Sequence, residues 1–160
     1  MRAALPTEEE WIELGAHSRR IRDAILRAYT LTSSIFRIKA KQATAFRRLH
    51  DAFWSYRSSL DDFLCGCYPL SQSRIGVEQI RIVNVFCGGE QGLVGHDRGD
   101  KTNRFTGVEL LSMQRLCDDV MAFMAAINMQ PWIKRQFVGY HNQVPQKLKR
   151  CVERLKAVLV

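Results

Sequence analysis

Between Ala16 and His50 the chain carries Arg19, Arg20, Arg22, Arg27, Arg37, Lys39, Lys41, Arg47 and Arg48 against one carboxylate, Asp23. From Trp132 onward, Lys134, Arg135, Lys147, Lys149, Arg150, Arg154 and Lys156 stand against Glu153. If the fold brings these two stretches together, they form a face able to hold phosphates or carboxylates. If it does not, they are a solvated surface that keeps the protein dispersed. The formal net charge of +8 over 160 residues favours acidic partners in either case: an acidic protein surface, nucleic acid or anionic lipid.

Other chemistries find weaker support. Cys65, Cys67, Cys87 and His96 offer four ligand-type side chains, but their spacing matches no common structural zinc site, and no Glu-x-x-His pair suggests a di-metal carboxylate bundle. The glycines of "CGGEQGLVG" fit neither a P-loop nor a dinucleotide fingerprint. No metal or cofactor is therefore expected. Helix-turn-helix, ribonucleoprotein and zinc-finger signals are absent. Arg98, Gly99 and Asp100 spell an integrin-binding tripeptide, a match short enough to arise by chance.

"RQFVGYH" places Arg135 six positions before His141 in a basic chain. This spacing resembles the Arg-x(4-6)-His signature of the HEPN ribonuclease superfamily, over seven residues and without the polar residue that commonly follows the Arg. The resemblance implies a helical dimer that gathers two such pairs around RNA, without a metal. His141 would then act as general acid or base, and Arg135 would stabilise phosphate charge. The alternative is a helix-end histidine beside Asn142.

Four amphipathic helices have to position these groups. "LPTEEEW" reads as a helix start, with Thr7 as N-cap and Glu10 closing a capping box. Trp11, Leu14, Ile21, Ile25 and Ala28 follow on one face, interrupted by Ser18. "TLTSS" at 30–34 predicts a turn or kink, because Ser and Thr compete for backbone hydrogen bonds. Beyond it Ile35, Ile38, Ala45, Leu49, Phe53, Tyr56, Leu60 and Phe63 share one side of a second helix, which Gly66 and Pro69 close. On that wheel Phe36 and Trp54 project about 140° from the core axis, with Ala43, Arg47 and His50 between them. Arg37, Lys41 and Arg48 fall together at about 80–120°. Phe36 and Trp54 either pack beneath a neighbouring helix or meet a partner.

Residues 75–87, with Ile80, Ile82, Val83, Val85 and Phe86, are apolar on every side; a short buried helix is favoured over a strand that would need a mate. Residues 88–105 are Gly-rich, charged and aperiodic, which predicts a mobile loop. Leu110, Met113, Cys117, Val120, Met124 and Ile127 stripe a third main helix, closed by Asn128 and Pro131. A short helix around "PWIKRQFVGY" follows. Leu148, Cys151, Val152, Leu155, Val158 and Leu159 stripe the last helix.

The expected fold is all-α: one domain over residues 1–160, a bundle of four main amphipathic helices plus one or two short ones and a long Gly-rich connection. No run of ~18 apolar residues could span a membrane. "MRAALPTEEEW" reaches acidic residues too early for a secretory signal, and five cysteines without scaffold spacing suit a reducing, cytoplasmic setting. The function expected is that of a non-enzymatic, self-associating interaction or adaptor module that docks an acidic partner through Arg37, Lys41, Arg47, Arg48 and Trp54. The rivals are the Arg135/His141 ribonuclease and a nucleic-acid-binding accessory factor.

Overall fold

In the protein's structure, a computed structural model, residues 8–67, 104–129 and 143–159 are described. They form four helices: α1 (Glu8–Ile35), α2 (Lys41–Cys67), α3 (Gly107–Asn128) and α4 (Gln143–Val158). The described residues contain no strand. Each helix packs on two others in the cycle α1–α2–α4–α3, the arrangement of a four-helix bundle. No helix among the described residues is long and apolar enough to cross a membrane. Thr7, the apolar segment 75–87, residues 88–103, the short helix expected near Trp132, the Arg98–Asp100 tripeptide, and Arg135 and His141 lie outside the described residues. So do the side chains of Trp11, Cys65 and Cys67.

The core follows from the stripes. Ile21 and Ile25 of α1, Ala45, Leu49, Phe53, Tyr56 and Leu60 of α2, Met113, Cys117, Val120, Met124 and Ile127 of α3, and Leu148, Cys151, Val152 and Leu155 of α4 are all buried in one cluster. Leu14 and Ala28 pack at its edge. At its centre Phe123 meets His17 of α1 at 5.1 Å, Phe53 at 6.2 Å and Tyr56 of α2 at 6.1 Å between ring centroids. Each such aromatic, removed wholly from water, contributes on the order of 2–3 kcal/mol. The Tyr56 hydroxyl is held above its ordinary titration range by that burial.

The boundary between α1 and α2 differs from the periodicity. Thr32 Oγ1 donates to the Ala28 carbonyl at 2.7 Å and Ser34 Oγ to that of Leu31 at 2.7 Å. Both hydroxyls thus bond back along α1, and the helix runs through "TLTSS" to Ile35. The turn comes afterwards, over 36–40, with Ala40 N–H donating to the Arg37 carbonyl at 2.9 Å. Phe36, whose N–H still donates to the Thr32 carbonyl at 2.8 Å, thus ends α1 instead of riding on α2, and it is buried with its ring 4.8 Å from that of Phe105, which precedes α3. Ile38, placed in the core by its spacing, sits on the turn and is 79% exposed. A tertiary contact has overridden a wheel that continues in phase from 35 to 63.

Ser18 explains its own interruption of the α1 stripe. It is fully buried and its Oγ accepts a 3.0 Å hydrogen bond from Nε of Arg57 on α2, itself 4% exposed. The guanidinium of Arg57 also lies 5.8 Å from the Trp54 ring centroid, within cation–π range. α3 opens on a capping box: Glu109 N–H donates to Thr106 Oγ1, and Thr106 N–H donates to the Glu109 carboxylate.

Candidate cationic groove between the second and last helices

Lys41, Thr44, Ala45, Arg48 and Asp51 fall within about 120° of one another on α2, so they share one side of that helix, next to its buried stripe. On α4, Lys147, Arg150 and Arg154 have the same spacing and lie within about 60° of one another. α2 and α4 are the most extensively packed pair in the bundle, and these two sides face each other across a groove. One part, of about 350 Å³, is lined by Arg48, Asp51, Lys147, Arg150, Cys151 and Arg154. The adjoining part, of about 380 Å³, is lined by Lys39, Lys41, Thr44, Arg48 and Arg154 together with Ala45, Cys151, Ala157 and Val158. Arg48, Cys151 and Arg154 line both parts, so the groove is continuous. Lys41 lies with Val158 at one end and Asp51 with Lys147 at the other, which makes the walls antiparallel.

Six cations therefore border the groove: Lys39, Lys41, Arg48, Lys147, Arg150 and Arg154. None of them makes an ion pair among the described residues. The one lining carboxylate, Asp51, lies 3.2 Å from Nδ1 of His50. Like charges gathered in this way repel, and a bound anion relieves that repulsion. Exposed cations outside the groove such as Arg20, Arg27 and Arg47 also make no ion pair among the described residues, so what sets the six apart is their convergence; two others are paired. Arg22 is buried and pairs with Asp23 at 2.9 Å, while Lys156 reaches Asp118 of α3 at 3.2 Å.

The residues singled out from the sequence are thus divided. Lys41 and Arg48 line the groove. Arg47 and Trp54 lie about 100–120° around α2 from Arg48, on a neighbouring face where both are exposed. Arg37 is exposed in the turn rather than on α2, so the expected alignment of Arg37 with Lys41 and Arg48 on one helix does not occur. In the sequence, Lys147, Arg150 and Arg154 stand out only as members of a basic stretch; their spacing of three and four is the signal that puts them on one side of α4, but it does not give the helix they face. Among the described residues no group of three His, Cys, Asp or Glu side chains converges as a metal site would require.

No protein-family model, curated protein or solved structure matches the chain.

Proposed function

We propose that the chain is a non-enzymatic helical interaction module that holds an acidic segment of a partner in the groove between α2 and α4. The observation that supports this reading is the convergence of six cations, drawn from distant parts of the chain, around one carboxylate. Such a cluster has its own repulsion to relieve, and a carboxylate or phosphate set between two cationic walls meets charge-assisted hydrogen bonds from both. Self-association belongs to the same proposal, with Arg47 and the half-exposed Trp54 as its contact face. Sedimentation velocity of Trp54→Ala against the wild type tests that part.

The groove is tested by fluorescence anisotropy with labelled oligoglutamate and with single-stranded RNA of equal charge. Each reversed cation at a partly solvated site is worth on the order of 1 kcal/mol. Arg48→Glu, Arg150→Glu and Arg154→Glu together should therefore weaken binding of the preferred probe by about 100-fold. Reversing the exposed Arg20, Arg27 and Arg115 instead changes net charge equally and should cost much less. Equal losses in the two triple variants would reduce the effect to net charge and refute the site. The RNA, incubated with chelator, should be recovered intact; cleavage that His141→Ala abolishes would replace this reading with the ribonuclease.

A further inference from the structure

We propose that the occupant of the groove is an acidic amphipathic helix of about three turns, seated by carboxylates along its length and by apolar side chains at one end. This inference rests on the groove's being a docking site and adds what kind of segment it takes.

The two parts of the groove differ in chemistry. Towards the start of α2 the lining includes Ala45, Cys151, Ala157 and Val158, small or apolar groups, beside Thr44 and the cations Lys39, Lys41, Arg48 and Arg154. Towards Asp51 the lining becomes Arg48, Lys147, Arg150 and Arg154, with no apolar side chain but Cys151. A ligand matching both needs negative charge along its length and an apolar anchor at one end.

The length matches a short helix. From Lys41 to Asp51 and from Lys147 to Val158 each wall runs about 15 Å at 1.5 Å per residue, or roughly three turns. Cavities of about 350 and 380 Å³ are small for ligand sites and narrow for a helix 10–12 Å across. They accommodate the side chains that a helix lying over them projects at steps of three and four. Single-stranded nucleic acid uses the groove less well. Its sequence-tolerant affinity comes from bases stacked on aromatic rings, and no aromatic side chain lines either part.

The test uses two peptides of about 11 residues and identical Glu/Leu-rich composition. One carries its leucines as a helical stripe and the other has them scrambled; oligoglutamate and single-stranded RNA of equal charge complete the set. Binding is measured to the wild type, to Ala157→Trp and Ala157→Gln, which alter the apolar end at an exposed position, and to the triple reversal of Arg48, Arg150 and Arg154. Circular dichroism and thermal melting establish that each variant is folded. The striped peptide should bind at least tenfold tighter than the scrambled one. Ala157→Trp should erase that advantage without weakening oligoglutamate, Ala157→Gln should reduce it, and the triple reversal should weaken every probe. If all probes bind in order of charge alone, and neither Ala157 variant changes the order, the amphipathic helix is wrong while the anion-docking groove stands. If no probe responds to the triple reversal, the groove itself is wrong and both readings fall.

Discussion

Replacing Ser18 by Ala isolates a buried polar contact between α1 and α2. Ser18 is fully buried, and its hydroxyl accepts the Arg57 Nε–H at 3.0 Å, well inside hydrogen-bond range. Hydrogen bonds to charged groups are worth about 1.5–3 kcal/mol, and a buried donor left without its acceptor cannot recover that from water. Arg57 engages other groups as well, so truncating the arginine would disturb several contacts at once. Ser18→Ala removes little but the acceptor. The expected cost is about 2–3 kcal/mol, which in a chain of 160 residues corresponds to a fall in melting temperature of roughly 5–10 °C. In urea the midpoint should drop with an unchanged slope. Ser18→Thr, which keeps the hydroxyl, should recover most of the loss. A Ser18→Ala variant within about 0.5 kcal/mol of wild type would show that Arg57 is satisfied elsewhere, and that this bond does not hold the helix pair in register.

Three further outcomes are expected. Phe36→Ala should cost about 3 kcal/mol in urea titration while Ile38→Gln stays within about 0.5 kcal/mol; the opposite ranking would restore a helix continuous through residue 38. Burial first, and Arg20 second, hold His17 below its ordinary 6.5 against the upward pull of Asp119, with its ring edge-on to Phe123. The folded state therefore binds fewer protons than the unfolded one, so stability is undiminished above about pH 6.5 and falls as the pH drops below it. His17→Gln should flatten the fall in urea midpoint between neutrality and about pH 5, and an identical fall in both proteins would refute this cause. Burial pushes the Cys117 thiol up to about 11, Asp118 adding to the rise and Lys156 opposing it. Mass spectrometry after iodoacetamide treatment near neutral pH should find Cys117 alkylated only when the chain is unfolded, because the thiolate is the nucleophile; rapid alkylation of the native protein would contradict that burial.

Period alone made much of the bundle legible. The stripes from Met113 to Ile127 and from Leu148 to Leu159 are the faces that α3 and α4 bury or pack at the edge of the core, and Leu49, Phe53, Tyr56 and Leu60 anchor α2 as their spacing requires. The α1–α2 boundary was not legible. Thr32 and Ser34 could end a helix or bond back along it, and the choice depends on surroundings that composition does not carry. Phe36 settles against Phe105, a contact between remote segments that no wheel contains. The groove was half legible. Lys147, Arg150 and Arg154 announce a cationic side of α4 by their spacing, but that this side meets Lys41 and Arg48, and not Arg47 or Arg37, follows from which helices pair. Arg22 counts as a surface cation in any tally of charge, yet it is buried beside Asp23.

Amide chemical shifts followed by two-dimensional NMR during titration with oligoglutamate test the groove most directly. Perturbations should concentrate on residues 39–51 and 147–158, on both walls together, and disappear in the Arg48, Arg150 and Arg154 reversal. Shifts centred on Arg19 to Arg27, or spread evenly over every exposed cation, would contradict the assignment of the α2–α4 groove as the place where an acidic partner docks.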